Sequence, residues 1–416
     1  MTKQRIYILG GHQTDFSRNW ARENLSLFDM FSYTLQQGLE DSQLNADQIQ
    51  VGHVGNFVAD LFCGQAQLGG FFGHVDPSLT YLPASRHEAA CASGSMAILS
   101  AMTDLESGRY DLACVMGIEM MRNVSGDQAA EYLRAAAWAD KEWKDTPYVW
   151  PCAFDDLMTV YREKHNLKTD HVRAISQKNY ANAKHNPNAQ SRKWQFTENS
   201  FSNDEAANPV VTGAIHRQDC GQISDGAAVV FLATQELAEQ YAKDNHLSID
   251  DIPYIKGWGH INAPMLMKQK LTLSEPNGFV FPHVNQLFKQ TLKRANLNGL
   301  DDIGGLEVHD CFNITEYMIL DHTGLYKPGE IWQGIESGMF NKDGTLPVNA
   351  SGGLIGLGHP VGATGVRMML DGYKQVTRTA GDYQIQDTDK NGAVNNMMTF
   401  NLGGSATTCA SFIIGK

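Results

Sequence analysis

The chain has little of what marks a membrane, secreted or nucleic-acid-binding protein. No run of eighteen apolar residues occurs in its 416 positions, so no membrane-spanning helix is expected. Positive charge is scarce: 33 lysines and arginines against 46 acidic side chains leave a net charge of −13, which would repel a nucleic acid. Cysteine is sparse, with seven residues at irregular positions and no CxxC pair, so neither a disulfide framework nor a thiolate metal cluster is expected. The opening MTKQRIYILGG runs directly into strand-like residues without the apolar core of a secretory signal. The closing SFIIGK matches no common carboxyl-terminal address. Cytoplasm is the expected compartment.

What is present suits a large globular protein. Apolar residues make up 42% of the chain and charged ones 19%, a balance that folds around a core rather than staying disordered. One local exception to the acidic balance stands out. From His171 to Trp194 the chain carries Arg173, Lys178, Lys184, Arg192 and Lys193 without an acidic residue after Asp170, a patch suited either to an anionic ligand or to a solvated face.

Periodicity predicts alternating strands and helices. RIYILGG, VGHVGNFV and DLACVMGIE read as strands, and NLSLFDMFSYTLQQGLEDSQL as an amphipathic helix. A further helix follows HEAACASG and ends near Gly108. DLACVMGIE is apolar on both faces, as parallel strands are. The texture changes between about Met120 and Cys220, where Trp, Tyr, Asn and charge accumulate, and this stretch reads as an insertion. The pattern resumes at ISDGAAVVFLAT and repeats in outline to the end, so two similar α/β halves are expected.

Four segments place reactive side chains where a strand ends or a helix begins, the usual place for a site in an open α/β sheet. Cys91, in HEAACASGSMA, precedes a helix among very small neighbours. The helix dipole and free N–H groups there predict a lowered thiol pKa. His359 sits in GGLIGLGHPVGATG, where it would serve as a general base. His309 and Cys311 lie two apart in EVHDCF, a spacing that lets both face one side. In FNLGGSATTC, Gly403 and Gly404 offer bare backbone N–H groups.

Together these segments resemble a thiolase over nearly the whole chain. CASGSMA is similar to the nucleophile segment, SDGAAVV to the strand closing the first half, and GGLIGLGHPVGATG to the histidine segment. EVHDCF and KNYANAKHNPNAQ resemble the sterol carrier protein thiolase branch. The commoner thiolases carry a second catalytic cysteine in a CxG turn near the end, where this chain reads Asn401-Leu402-Gly403.

The resemblance implies a duplicated α/β thiolase fold. Two doubly wound halves would form a layered αβαβα core, with 1–119 and 221–250 in the first half, 120–220 an inserted loop domain, and 251–416 the second half. It implies acyl transfer on coenzyme A thioesters through an acyl-enzyme on Cys91, in the direction of 3-ketoacyl-CoA thiolysis or of Claisen condensation. His359 would take the Cys91 proton, and Cys311 would replace the missing thiol as acid/base. His309 would polarise the thioester oxygen, and the N–H groups of Cys91 and Gly403 would hold an oxyanion. No metal or redox cofactor is implied, coenzyme A and acyl-CoA being substrates, and the assembly would be a homodimer or homotetramer. SYTLQQG and Glu131–Pro151 are candidates for an acyl tunnel. Two alternatives compete. A decarboxylating ketoacyl synthase would have no use for Cys311, and a non-catalytic acyl-CoA or lipid binder no use for the four reactive side chains together.

Overall fold

The computed structural model describes residues 4–276, 278–387 and 394–416. Its strands are β1 (Tyr7–Gln13), β2 (Val51–Gly55), β3 (Ala84–His87), β4 (Leu112–Glu119), β5 (Val210–Thr212), β6 (Ile215–His216), β7 (Gly226–Ala233), β8 (Tyr254–Asn262), β9 (Gly305–Val308), β10 (Asn396–Gly403) and β11 (Thr408–Gly415). Nine of them form one sheet in the order β3-β2-β4-β7-β1-β8-β11-β10-β9, and β5 and β6 pair separately.

The sheet repeats itself on either side of a seam. At the seam Tyr7 of β1 lies opposite Tyr254 of β8, flanked by bonds from Ile8 N–H to the Pro253 carbonyl and from Ile255 N–H to the Ile6 carbonyl. Moving outward through β1, β7, β4 and β2, the pairings run antiparallel, antiparallel, parallel. Through β8, β11, β10 and β9 they run the same way. Beyond β2 lies the parallel strand β3, and beyond β9 a parallel bridge from Leu306 to Val348 holds the matching place. The two halves therefore share one topology, as the repeated sequence pattern predicts.

Layering explains why β4 is apolar throughout. Cys114, Met116 and Ile118 face a cluster with Met30, Phe31 and Leu35 of the helix Leu27–Asp41, while Ala113 and Val115 face a second cluster with Ile98 and Ala101 of the helix Ser93–Glu106. Full burial on both sides, not parallel pairing, is the cause: β4 is parallel to β2 but antiparallel to β7. The outer helix starts on a capping box in which Ser26 and Asp29 satisfy each other's N–H groups. Helices Leu27–Asp41 and Gln235–Asp244 cover the outside of the first half-sheet, and Pro282–Arg294 covers β8 and β11. Between the half-sheets lie Ser93–Glu106 and Thr364–Thr377, packed on both. The result is an αβαβα stack.

The chain between β4 and β7 forms the helices Gly126–Leu133, Val149–His165 and Thr169–Ala183 together with the β5–β6 ribbon. Although it leaves the first half, it packs on the second. The helix Thr169–Ala183 lies against Asn313–Asp321 and Gly353–Leu357, and Tyr161 donates to Asp321 across 3.1 Å.

At the start of the two central helices, backbone touches backbone. A β-carbon on Gly94 would meet the Gly362 carbonyl oxygen at 2.7 Å, and one on Gly365 would meet the Ser95 nitrogen at 2.4 Å. Neither partner is a side-chain end that can swing away. Gly365→Ala should accordingly destabilise the protein by about 3 kcal/mol, measured as a fall in the urea midpoint at unchanged slope. A midpoint within error of wild type would mean that the helices separate freely.

Candidate active site

Cys91 lies in a single turn, Ala90–Ala92, that feeds the helix Ser93–Glu106. The entry is wound tightly. Ala90 takes a left-handed φ of 51°, a conformation costing a residue with a β-carbon about 1 kcal/mol or more. It is held by Ser93, whose hydroxyl accepts the Ala89 N–H at 3.0 Å and donates to the Ala90 carbonyl at 2.6 Å. The tip of β10 presses against this turn. A β-carbon on Gly403 would lie 2.2 Å from the Ala89 carbonyl oxygen, so only glycine fits. The next residue, Gly404, turns left-handed with φ of 61° and directs its N–H at the Cys91 thiol.

His359 stands between Gly358, with φ of 122°, and Pro360. Its backbone N–H donates to Ser224 Oγ at 2.9 Å, and its ring Nδ1 lies 2.7 Å from Thr364 Oγ1. The threonine gives its proton to the Pro360 carbonyl, so it accepts the Nδ1–H of His359. That leaves Nε2 of His359 as a bare lone pair, buried and without a protein partner.

His309, the first residue after β9, is set the opposite way. Ser95 Oγ donates to Asn401 Oδ1 at 2.8 Å, which leaves the Asn401 amide N–H to donate to His309 Nδ1 at 3.0 Å. With Nδ1 an acceptor, the proton of His309 is on Nε2, also buried and unpartnered. The two imidazoles meet edge to face with centroids 5.1 Å apart. Cys91 Sγ and one nitrogen of each ring lie within 4.8 Å of one another. One side chain offers a lone pair and the other an N–H to the same point. Asn401 lies two residues before the end of β10, and Thr364 opens the helix that follows His359. Neither residue's role was evident before its neighbours were placed.

Cys311 opens on the same pocket, a cavity of about 370 Å³ that Cys91, His359, Gly404 and Phe312 also line. Asp310, between His309 and Cys311, points the other way and accepts the N–H groups of Leu354 and Ile355. The alternation expected of EVHDCF thus holds past the strand end. The rest of the wall is largely apolar, with Phe57, Met121, Leu133, Trp150 and Phe154 prominent. Segment 131–151 contributes much of it, whereas SYTLQQG lies on the outer helix Leu27–Asp41, away from the pocket.

Burial decides the charge state. It pushes the Cys91 thiol up to about 12, against the opposing pull of the Gly404 N–H, and raises Cys311 well above the usual thiol range. It brings His359 down to about 3 and His309 well below its ordinary value. The lowered Cys91 pKa expected from the helix N-terminus is therefore reversed: desolvation of the thiolate outweighs a dipole worth about 1 kcal/mol. These shifts favour two thiols and two neutral imidazoles in the centre.

Other sequence expectations are redistributed. Gly404, not Gly403, is the residue that faces the pocket and points its N–H at the sulfur, because Gly403 is paired with Thr408 in the ladder. Within the basic stretch, Arg173 is bonded to Asn203, Lys178 to Glu316 and Arg192 to Asp15, so three of its five cations are satisfied inside the molecule. Asp225 is buried, accepting the N–H groups of Trp20, Met121 and Arg122. Cys409 is buried in β11 with its thiol toward the Ala406 carbonyl. No described helix is long and apolar enough to cross a membrane.

Comparison with known proteins finds likeness along nearly the whole chain. Residues 6–236 match the family model "Thiolase, N-terminal domain", and residues 268–416 match "Thiolase C-terminal domain-like". An acetyl-CoA acetyltransferase of Methanothermobacter thermautotrophicus is 28% identical over 412 residues, 99% of each chain. Human sterol carrier protein 2 is 24% identical over 92% of this chain and 68% of its own length. Among solved structures, an Ltp2–ChsH2(DUF35) aldolase superposes with a TM-score of 0.77 at 18% identity, covering 99% of this chain and 97% of that one. Human mitochondrial 3-ketoacyl-CoA thiolase in complex with CoA superposes with a TM-score of 0.70 at 14% identity, covering 99% and 98%.

A neutral resting pair predicts a slow thiol. Iodoacetamide should alkylate Cys91 of the unliganded protein at neutral pH no faster than it does free cysteine, with the rate climbing as pH rises toward about 9 and beyond. A rate above that of free cysteine at neutral pH would show that His359 already holds the proton.

Proposed function

Because the chain belongs to the thiolase family, matching its models over both halves, we propose that it catalyses acyl transfer between coenzyme A thioesters through an acyl-enzyme on Cys91. The reaction is thiolysis of a 3-ketoacyl-CoA or, in reverse, Claisen condensation of acetyl-CoA units. The observation that carries this reading is the pair of opposite tautomers at Cys91, with a second thiol in the same pocket.

In the cleavage direction, the bare Nε2 of His359 takes the Cys91 proton as the sulfur attacks the keto carbon. The N–H groups of Cys91 and Gly404 hold the resulting oxyanion in this reading, and such a donor contributes about 3 kcal/mol. The carbon–carbon bond then breaks, leaving an acyl group on Cys91 and the enolate of acetyl-CoA. The Nε2–H of His309 holds the enolate oxygen, and the Cys311 thiol protonates the enolate carbon. An incoming CoA thiol gives its proton to the Cys311 thiolate and attacks the acyl-enzyme. The departing Cys91 thiolate recovers its proton from His359, which closes the cycle with no net proton change.

A raised thiol pKa fits an acid/base at carbon. Cys311 stays protonated until a strong carbon base forms beside it, and its thiolate is basic enough to remove the Cα proton in the reverse direction. A decarboxylating synthase makes its carbanion without that proton transfer, and a binding protein needs no base at all.

The test is loss of acetoacetyl-CoA enolate absorbance on adding CoA. Cys91→Ala should lower kcat by more than about 10³-fold, and Cys311→Ala by about 10²- to 10⁴-fold, the usual worth of a general acid/base. Full activity in Cys311→Ala would move the proton transfer to another group. Absence of wild-type turnover with acetoacetyl-CoA and with longer 3-ketoacyl-CoA homologues would refute the thiolase assignment.

A further inference from the structure

Lys270 is a fully buried lysine that the chemistry above leaves unused. It sits in the short helix Met267–Leu271, behind the turn that joins β10 to β11. Its ammonium donates to three uncharged oxygens: Ser405 Oγ at 2.6 Å, Thr407 Oγ1 at 2.9 Å and the Met265 carbonyl at 3.2 Å. Two of these acceptors belong to the turn that begins with Gly404. A third anchor is His283, whose Nε2 bonds the Ala406 carbonyl at 2.9 Å. Between these grips Ala406 is kept in a left-handed conformation, φ of 60°, which a residue with a β-carbon adopts only when its surroundings impose it. Packing alone would be served by a methionine or leucine, without the cost of burying a charge.

We propose that Lys270 is a positioning residue: through Ser405 and Thr407 its ammonium fixes the turn that aims the Gly404 N–H at Cys91. This rests on the acyl-transfer reading for its purpose but not for its geometry. Burial brings Lys270 down to about 8, with Glu142 and Cys409 opposing that shift. His283, its other titratable neighbour, is brought down to about 4 and so is uncharged at neutral pH. The clamp is charged where the enzyme works.

The test reads Cys91 directly. Alkylation of Cys91 by iodoacetamide at neutral pH is followed by mass spectrometry in wild type and Lys270→Met, beside kcat and KM for acetoacetyl-CoA thiolysis. With the N–H no longer held on the sulfur, alkylation should slow about 5- to 10-fold. Turnover should fall at least about 10-fold with KM changed less than about twofold, as for an interaction made only in the transition state. A lysine that merely filled space would, on removal, loosen the site and leave alkylation unchanged or faster, and that outcome in a folded variant overturns the proposal. Should Lys270→Met not fold, Ser405→Ala cuts one of the same bonds and must slow alkylation in the same direction, or the proposal fails. Slower alkylation in a protein whose wild type performs no thiolysis would uphold the clamp and refute the thiolase reading alone.

Discussion

The site exists because two helix beginnings meet with no side chain between them. The turn into Ser93–Glu106 carries Cys91, and the loop into Thr364–Thr377 carries His359. Gly94 against Gly362, and Gly365 against Ser95, allow the backbones to close to a distance that one β-carbon would prevent. Glu119, at the end of β4, reinforces the contact. Its buried carboxylate accepts the N–H groups of Phe57 and Val58 from one half and of Gly362 from the other. Burial pushes Glu119 up to about 7 while these backbone donors, drawn from both halves, pull the other way. Everything chemical, from the distance between Cys91 and His359 to the edge-to-face histidines, depends on that approach.

Duplication supplied equivalent positions, and the halves then diverged in what they place there. The residue after β2 is Asn56, which binds Glu119 and builds the scaffold. The residue after β9 is His309, whose ring meets that of His359 edge to face beside Cys91. The tip of β4 carries the structural Glu119, while the tip of β10 carries Asn401, which sets the tautomer of His309, and leads into Gly404 at the thiol. One half thus braces the site while the other furnishes most of its acid, base and donor groups. The segment inserted in the first half lies across the second and forms much of the pocket's apolar wall.

Electrostatically the centre works by withholding charge. A thiol pushed up to about 12 beside an imidazole brought down to about 3 is stable as a neutral pair. In the proposed cycle charge appears only once a substrate carbonyl is present to receive it. The largely apolar wall makes hydrogen-bond donors beside it stronger than they would be in solvent. Lys270 lies behind the turn that begins with Gly404, bonded to Ser405 and Thr407 and buried away from the pocket itself.

The amino-acid sequence by itself determined the strands and helices, the repetition of one topology and the identity of the reactive side chains. Hydrophobic periodicity, glycine placement and the four short segments are local properties, readable within a few residues. It named Cys91, Cys311 and His359, which the fold brings to one pocket, and His309, which the fold buries against His359 beside Cys91. Tertiary structure decided what the linear order does not contain. Ser95 and Asn401 are 306 positions apart, yet together they place the proton of His309. Burial reversed the expected shift of the Cys91 pKa, because desolvation depends on what surrounds the thiol rather than on the helix that follows it. Internal partners at Glu316, Asp15 and Asn203 engage three of the five cations in a basic stretch that looked free in one dimension. Gly403 is paired in the ladder, and it is Gly404 that lines the pocket beside Cys91. Charge state, tautomer and donor direction are set by contacts distant in sequence, and so they belong to the fold.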